Sequence, residues 1–414
     1  MKYLIKNMGL LFFAQLCAYL IPILEIPVLA RALGVQEYGK VVLIQSVALL
    51  SSLVVEYGFS LSGSRQIALA SGEKQSLARI YGEIFSAKLL IVAIVALIGT
   101  VVCLIKGSYF FDAKLIFLGF LYFLAFGFSP FWFFQGLEKI SFVVIMEVLL
   151  RFASLLLLFL FVNSADDAFL ALCIMSSLGL LNTILGNALC LKKVGRLIFS
   201  FHGGLQQLKI GFHVFIYKSS NNILLSAGPS LVGATSGHVA VASYVPAEKI
   251  IRGFVGFVNP VLIGFFPYLN RQYLSSKQNT IRLSLFIVLG MFIAGVFASS
   301  AIFFVGDFLI RSVLGQEYLV ASSILKIFVW IIPFRLANQA LGLCMLIPMG
   351  KDRITSGLIM FFSILSILMA AALSIWYGVD GVVFGFVLAE ICLFFALIAV
   401  VAKMTLQSLN GDKK

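Results

Sequence analysis

Residues 89–105 read LLIVAIVALIGTVVCLI, an apolar run of seventeen residues without a charged side chain. A helix needs about 20 apolar residues to cross the hydrocarbon core of a bilayer, so this run approaches the length of one crossing. A second run, residues 154–162, reads SLLLLFLFV. Strands of a membrane barrel alternate apolar and polar side chains, and neither run does so. Both runs therefore predict transmembrane helices.

The composition of the whole chain is that of an integral membrane protein. Its 414 residues are 61% hydrophobic and 11% charged, and the mean hydropathy is +1.09. Lipid cannot satisfy backbone N–H and C=O groups, so a spanning chain forms either helices or a closed barrel. We therefore expect an all-α integral membrane fold. At about 20 residues per span plus loops, the chain has room for at most roughly a dozen helices.

Charged or turn-rich breaks divide the chain into twelve apolar segments. They lie at about 8–30, 41–62, 84–105, 115–134, 140–162, 168–190, 211–232, 239–269, 283–305, 322–347, 354–376 and 381–402. A basic loop, residues 191–210, separates the first six from the last six. We predict two six-helix lobes around a central cavity, residues 1–205 with a basic cytoplasmic linker and residues 206–414. Carriers with two such halves bind substrate between them.

Lysine and arginine residues assigned to the two sides of the membrane indicate the orientation of the chain. Nineteen lie on the side of both termini: Lys2, Lys6, Arg65, Lys74, Arg79, Lys88, Lys139, Lys192, Lys193, Arg196, Lys209, Arg271, Lys277, Arg282, Lys351, Arg353, Lys403, Lys413 and Lys414. Five lie on the other side: Arg31, Lys40, Lys106, Lys114 and Arg311. Cytoplasmic loops carry the excess of basic residues, so both termini are predicted to be cytoplasmic. The net charge of +13 thus indicates topology and not nucleic-acid binding.

Nothing in the sequence indicates a cofactor, a disulfide or a metal site. The six cysteines have no CxxC or CxxxH spacing, and the three histidines lie apart from them. Lys2 and Lys6 precede an apolar run that resembles a signal peptide, and residues 30–32, Ala-Arg-Ala, would pass as a cleavage box. The run exceeds the roughly 7–15 apolar residues of a signal, so we expect an uncleaved first helix.

Eleven charged residues lie within the predicted spans. They are the basic residues Arg151, Lys218, Lys249, Arg252, Lys326 and Arg335 and the acidic residues Glu25, Glu56, Glu147, Glu248 and Glu390. Each costs at least about 2.5–3.5 kcal/mol at the centre of a spanning helix. Eleven together imply a hydrated or paired interior surface, so we expect a polar cavity. For Glu56 and Lys326, which lie near span ends, snorkelling to the membrane surface is the simpler interpretation.

Two acid–base pairs have the four-residue spacing that places both side chains on one helix face. Glu248 and Arg252 in the eighth span can form an internal salt bridge, but Lys249 adds a positive charge that this pair does not explain. Glu147 and Arg151 repeat the spacing in the fifth span, where a structural pair is favoured. The eighth span is therefore the stronger candidate for a functional site.

Glu25 lies between Pro22 and Pro27 in the first span. Prolines free backbone carbonyls and bend helices. A carboxylate at such a bend can bind a cation or carry a proton, because burial favours its neutral form. The alternative is a kinked helix in which Glu25 pairs with Arg31. Both interpretations stay open from the sequence.

The seventh and eighth spans have features of a cavity lining. Lys218 precedes the polar residues 219–222, Ser-Ser-Asn-Asn, so this stretch faces something other than lipid. Three prolines interrupt the eighth span: Pro246, Pro260 and Pro267. Interrupted helices of this kind form the binding sites of alternating-access carriers.

Four short motifs resemble elements of one transporter family. They are PVLARALGVQEYG at 27–39, EYGFSLSGSR at 56–65, ASYVPAEKI at 242–250, and YGVDG at 377–381 with Ala389-Glu390 following. They resemble the P-x-L-A-R-x-L-G-x-x-x-[FY]-G, D-Y-G-F-N-L-x-x-[ST]-R, G-x-[YF]-x-x-A-E-K-I and Y-G-x-x-G elements of polysaccharide flippases in the multidrug/oligosaccharidyl-lipid/polysaccharide exporter superfamily. Taken together, the motifs are similar to the O-antigen flippase (Wzx-type) branch. Glu56 and Ser60 stand where that family usually has aspartate and asparagine.

The resemblance implies two lobes around a positively charged cavity that moves an undecaprenyl-pyrophosphate-linked oligosaccharide from the cytoplasmic to the periplasmic leaflet. Coupling to a proton or sodium gradient is implied as well, with membrane lipid and the polysaccharide polymerase machinery as further partners. The expected substrate-binding residues are Arg31, Lys218, Lys249, Arg252 and Arg335. The expected ion-coupling residues are Glu25, Glu248 and Glu390.

Three alternatives remain open. A drug or cation antiporter of the same fold would need an acidic cavity, against which six basic and five acidic intramembrane residues argue weakly. A polytopic glycan polymerase or glycosyltransferase would need a long outer loop or a cytoplasmic domain, and Asp166-Asp167 is the only acidic pair in a loop. A channel or scaffold is the third. No nucleotide fingerprint or nucleophile elbow is present, so we expect no catalytic residue.

Overall fold

The computed structural model describes residues 2–70, 73–106 and 112–411, and every regular element within these ranges is a helix. The helices are α1 (Lys2–Glu56), α2 (Phe59–Leu69), α3 (Lys74–Lys106), α4 (Ala113–Gly127), α5 (Phe131–Gly136), α6 (Ser141–Phe161), α7 (Ala168–Val194), α8 (Phe201–Ser275), α9 (Lys277–Val313), α10 (Leu319–Phe328), α11 (Ile331–Ala340) and α12 (Asp352–Gly411). A π-helix, Leu341–Leu346, continues α11. The all-α fold is confirmed.

Eight helices within the described residues are long and apolar enough to cross a membrane, and a bent pair, Gln316–Phe328 with Ile331–Leu346, raises the number to nine. Three of the eight are 47 to 52 residues long. A straight helix of that length would extend about 70 Å, more than twice the thickness of the hydrocarbon core. Each of the three contains a glycine with non-helical backbone angles: Gly34, Gly237 and Gly378. Counting each as two crossings would give the predicted twelve, which stays a prediction.

The break at Gly378 reverses the direction of α12. A Cβ built on Gly385 would lie 2.5 Å from the Cα of Ala370, and one built on Gly381 would lie 2.2 Å from the carbonyl oxygen of Leu373. In a continuous helix, residues 370 and 385 would be about 22 Å apart. The two halves of α12 therefore form a hairpin around Gly378, whose φ of 56° is accessible to glycine at little cost.

Packing divides the chain into two compact units, Met1–Ser230 and Leu231–Lys414. The predicted lobe boundary at 205/206 stays a prediction. In the first unit, α7 joins α4 through polar side chains: Ser176 Oγ donates to Leu118 O at 3.1 Å and Asn187 Nδ2 donates to Phe128 O at 3.0 Å. Helices in lipid associate through such bonds and through close approach at small residues.

The second unit packs α9 against α11 in the same way. A Cβ on Gly295 would lie 2.5 Å from the Cα of Pro333, so only glycine fits at this crossing. Ser284 Oγ of α9 donates to Cys344 O at 2.7 Å. The apolar part of this core includes Leu262, Leu341 and Leu397, each at most 1% exposed.

The connection between α7 and α8 is shorter than predicted. We predicted a loop over residues 191–210, but only residues 195–200 lie between the two helices. Lys192 and Lys193 are in the last turn of α7, where basic side chains interact favourably with the helix dipole. The density of basic residues therefore marked the end of a helix and not a loop.

The first turns of α8 are attached to the first unit. A Cβ on Gly82 of α3 would lie 1.9 Å from Ile198 O, so the connection lies directly on α3. Gln207 Nε2 donates to Glu83 Oε2 at 2.9 Å and to Gln66 Oε1 at 3.0 Å. The beginning of α8 is thus part of the first unit.

Candidate functional site

The predicted pair of Glu147 and Arg151 forms in the first unit. Arg151 donates from Nη2 to Glu147 Oε1 at 2.7 Å and from Nε to the same oxygen at 3.1 Å. Its guanidinium also lies 5.9 Å from the centroid of the Phe126 ring. The side chain of Glu147 is 33% exposed and that of Arg151 is 29% exposed, so the pair is half-buried.

Glu25 belongs to the same cluster. It is 9% exposed, and its carboxylate interacts electrostatically with Arg151 of α6 and with Tyr122 of α4. Arg151 therefore interacts with two carboxylates, one on its own helix and one on α1. The sequence suggested Arg31 as a partner for Glu25 and did not suggest Arg151, because the interaction with Arg151 depends on the packing of α1 against α6.

Two cations share one carboxylate on α8 in the second unit. Glu248 is 4% exposed, and its Oε1 lies 2.6 Å from Arg252 Nη2. Lys249 also interacts electrostatically with Glu248. Tyr244, one turn earlier, is buried against Phe328 with ring centroids 5.6 Å apart. The predicted group of Glu248, Lys249 and Arg252 is thus brought together by one turn of helix.

Arg335 and Glu390 form a second, more deeply buried pair in this unit. Arg335 Nη1 donates to Glu390 Oε1 at 2.5 Å, and the residues are 8% and 1% exposed. Asn338 Nδ2 donates to the other carboxylate oxygen, Oε2, at 2.7 Å and to Glu390 O at 3.0 Å. The sequence assigned Arg335 to the substrate and Glu390 to the ion, and the structure joins them.

The remaining two predicted site residues lie in the first unit. Arg31 is near the end of the first half of α1, three residues before the break at Gly34, and its side chain is exposed. Lys218 lies in α8, but its side chain is outside the described residues. The structure therefore does not test whether Lys218 faces a cavity.

Sequence reasoning missed two buried charges of α3. Lys88 was counted as a cytoplasmic loop residue, but it is 2% exposed and donates from Nζ to Gly127 O at 2.9 Å and Ser129 O at 3.3 Å. It thus caps the carbonyl end of α4, and the basic count becomes eighteen to five. Glu83 is 7% exposed and accepts from Arg79 Nε at 2.8 Å. The four-residue spacing of Arg79 and Glu83 was the available signal.

Lys326 and Glu56 have partners that explain their positions. Lys326 Nζ donates to Asp307 Oδ2 at 2.7 Å. Glu56 accepts from the backbone N–H of Gly58 at 3.2 Å and of Ser60 at 2.8 Å, at the beginning of α2. A carboxylate at this place caps the helix and interacts favourably with the positive end of the helix dipole. The second sequence motif is therefore a helix-capping turn.

The described residues contain no group of three or more His, Cys, Asp or Glu side chains that could hold a metal ion. Five cysteines in the same part of the chain are free thiols: Cys17, Cys173, Cys190, Cys344 and Cys392.

Comparison with known proteins identifies the family of the chain. Residues 4–273, more than half of the chain, match the family described as polysaccharide biosynthesis protein. The chain belongs to this family. The resemblance drawn from the four motifs is thereby confirmed at the family level.

Two curated relatives of this family member are candidate O-antigen transporters. The protein of Shigella dysenteriae is 27% identical over 389 residues, which cover 93% of this chain and 97% of the relative. The protein of Escherichia coli K12 is 29% identical over 264 residues, covering 63% and 64% of the two chains.

Two solved structures show the fold. An inward-facing multidrug resistance MATE family transporter of the MOP superfamily matches with a TM-score of 0.69 at 14% identity, covering 95% of this chain and 96% of that one. The lipid II flippase MurJ in an inward closed conformation matches with a TM-score of 0.68 at 14% identity, covering 96% and 87%. This polysaccharide biosynthesis protein therefore has the fold of MOP-superfamily membrane transporters.

Proposed function

We propose that this chain is a flippase that moves undecaprenyl-pyrophosphate-linked O-antigen repeat units from the cytoplasmic to the periplasmic leaflet of the inner membrane by alternating access. The family, the relatives named as candidate O-antigen transporters and the fold shared with a flippase support the proposal. The same relatives are named as transporters and not as enzymes, so we assign no catalytic residue to the chain.

The observation that carries the proposal is the pair of cations beside Glu248 on one turn of α8. Lys249 and Arg252 both interact with this buried carboxylate. A pyrophosphate that leaves water needs compensating cations, because charge–charge interactions strengthen as the local dielectric constant falls. We assign Lys249 and Arg252 to the pyrophosphate and Arg31, Lys218 and Arg335 to the same headgroup at other stages of its passage. Glu248 would take Arg252 back after the substrate leaves.

Coupling to an inward proton or sodium gradient is assigned to Glu25, Glu248 and Glu390. Glu25 shares Arg151 with Glu147 and lies between the two prolines inside α1. Burial favours the protonated form of a carboxylate, so a buried Glu25 at this bend could take up and release a proton. Glu390 accepts hydrogen bonds on both oxygens in this structure, so it could exchange a proton only after Arg335 moves away.

A deletion strain tests the proposal. We expect the lipid-linked oligosaccharide to be synthesised and to accumulate in the inner leaflet, where impermeant reagents added to spheroplasts do not reach its sugars. Wild-type protein should restore surface polysaccharide, and a Lys326→Ala variant should do so equally, because Lys326 pairs with Asp307 outside the assigned set. Failure of the deletion strain to make the lipid-linked unit at all would contradict the proposal.

A multidrug or cation antiporter is the second candidate, favoured by the likeness to the multidrug transporter. The two functions differ in their substrates. Efflux of a cationic dye from cells that express the protein, with no effect on surface polysaccharide, would support the antiporter. Complementation of the deletion strain without dye efflux would support the flippase. Contact with the polysaccharide polymerase machinery, a further proposed partner, would appear as co-purification from crosslinked membranes.

A further inference from the structure

The helix α11 is interrupted at both ends. A turn at residues 329–330 and a bend of 44° separate it from α10, and the π-helix Leu341–Leu346 follows it directly. Two serines of α9 compensate for these interruptions: Ser299 Oγ donates to Val329 O at 2.6 Å and Ser284 Oγ donates to Cys344 O at 2.7 Å. Interrupted membrane helices and π-helices are frequent at binding sites.

One face of α11 is polar although it is buried. Arg335, Asn338 and Gln339 have the spacing of three and four residues that places side chains together on a helix. Arg335 and Asn338 both bind the Glu390 carboxylate, as described above. Each of the two carboxylate oxygens of Glu390 thus accepts a hydrogen bond from this face of α11.

Three polar atoms on this face are buried without a hydrogen-bond partner among the described residues. They are Arg335 Nε, Asn338 Oδ1 and Gln339 Oε1. Buried polar atoms in proteins are almost always paired with protein groups or with ordered water. Three such atoms on one turn of helix therefore point to a bound molecule.

The donors and acceptors of the site select the class of ligand. Arg335 Nε–H is a donor, and the two amide oxygens are acceptors. A water molecule can accept one hydrogen bond and donate two, and buried waters make about three such bonds. A metal cation would suit the amide oxygens but would be repelled by the guanidinium, and an anion would be repelled by the two oxygens.

We propose that Arg335, Asn338 and Gln339 bind a buried water molecule that hydrates the Arg335–Glu390 ion pair. The water keeps the pair solvated inside the second unit, so that Arg335 and Glu390 can separate when α11 moves without leaving an unsolvated charge. The binding of this water does not depend on which substrate the protein carries, so it stands or falls separately from the proposed function.

Radiolytic hydroxyl labelling of the purified protein in lipid nanodiscs tests the water. Side chains beside a bound water are oxidised rapidly even when they are buried, so the peptide that contains residues 331–346 should be labelled in the wild type. In Gln339→Leu, which removes the acceptor and adds no readily oxidised group to the peptide, we expect labelling to fall at least about fivefold. The matched control is Ser366→Ala: Ser366 is fully buried, its Oγ donates only to Ser363 O at 2.7 Å, and labelling should stay at the wild-type rate.

A second measurement keeps the test independent of the variant's folding. A cryo-EM map of the wild type that resolves ordered water should show density within hydrogen-bonding distance of the three atoms. No density there, or direct bonds among the three side chains, would overturn the proposal, as would equal labelling of wild type and Gln339→Leu. Stabilisation of the wild type by sodium but not by choline, abolished in Gln339→Leu, would also overturn it in favour of a cation.

Discussion

Glu390 and Arg335 are the most deeply buried ion pair among the described residues, and removing one partner should be more harmful than removing both. Arg335→Met or Glu390→Leu alone leaves an uncompensated buried charge, which costs about 3–5 kcal/mol. The double variant leaves none, and Asn338 keeps its bond to Glu390 O. We expect each single variant to lower the thermal unfolding temperature strongly and the double variant to recover most of the loss.

Transport by the double variant separates a structural pair from a functional one. If the pair acts in transport, the double variant is stable but fails to restore surface polysaccharide in the deletion strain. Stable protein with normal transport would instead show that the pair only allows two charges to reside in the membrane. A double variant as unstable as the single ones would contradict the energetic prediction.

Lys249 and Arg252 provide the second test at the scale of residues. Lys249→Ala and Arg252→Ala should each reduce flipping by about tenfold or more with normal membrane insertion, because each removes a cation from the assigned headgroup site. Lys249→Arg should retain more activity than Lys249→Ala if charge is what matters. The measurement is surface polysaccharide normalised to expressed protein, with Lys326→Ala as control. Wild-type activity of both alanine variants, and of Lys218→Ala, would contradict this assignment. The interaction of Arg252 with Glu248 would then be only a structural salt bridge.

The sequence predicts contacts within a helix and misses contacts between helices. The spacing of Glu147 and Arg151, and of Glu248 and Arg252, was sufficient to predict their pairing. Arg335 and Glu390 are 55 residues apart, so only tertiary packing brings them together. The same limit applies to Glu25 on α1, which interacts electrostatically with Arg151 on α6.

At the scale of elements, the hairpin of α12 should depend on its small residues. Gly385→Leu should destabilise the protein or prevent insertion, because a Cβ there would already lie 2.5 Å from the backbone of Ala370. Overpacking of this kind costs about 1–3 kcal/mol or more. Gly357→Ala in the same helix is the matched control, since nothing lies within 4 Å of its Cβ. It should be neutral or stabilising by up to about 1 kcal/mol.

Size-exclusion chromatography and thermal unfolding of the purified protein in detergent measure the stability of both variants. Equal stability of Gly385→Leu and the wild type would show that the two halves of α12 do not approach as closely as the structure indicates. A loss of stability in Gly357→Ala would show that this position has a neighbour outside the described contacts.

Helices were predictable from apolar runs, and their ends were less so. The apolar run at 89–105 lies within α3, but α3 begins at Lys74, before the predicted span at 84–105. Lys88 was counted with the cytoplasmic basic residues because it is charged, although its hydrogen bonds to the carbonyl end of α4 place it inside the structure. A charge inside a helix and a charge in a loop have the same appearance in a sequence, and only a partner distinguishes them.

At the scale of the whole molecule, every described ion pair joins residues of one unit. The sequence predicted one polar cavity from eleven intramembrane charges, but the described pairs are distributed between Met1–Ser230 and Leu231–Lys414. Each unit therefore satisfies much of its own buried charge.

The orientation of the chain gives the last prediction. With Lys88 assigned to the interior of α3, eighteen basic residues still lie on one predicted side and five on the other, which by the positive-inside rule makes the larger group cytoplasmic. The structure supplies exposed probe positions: Asp166 and Glu317 on the predicted periplasmic side, and Lys192 and Asp352 on the predicted cytoplasmic side. Gly203, at the centre of the predicted linker, is buried in α8 and is a poor probe.

Single cysteines at these four positions, in a variant without other cysteines, should divide into two classes. In intact cells, an impermeant maleimide should label Asp166→Cys and Glu317→Cys and leave Lys192→Cys and Asp352→Cys unlabelled until the membrane is opened. The two positions of each class lie on different units, so they test the orientation of each unit separately. Labelling of Lys192→Cys from outside would show that the orientation predicted for the first unit is wrong. Labelling of Asp352→Cys alone would require an odd number of crossings between residues 192 and 352, and the twelve-span prediction would then be wrong.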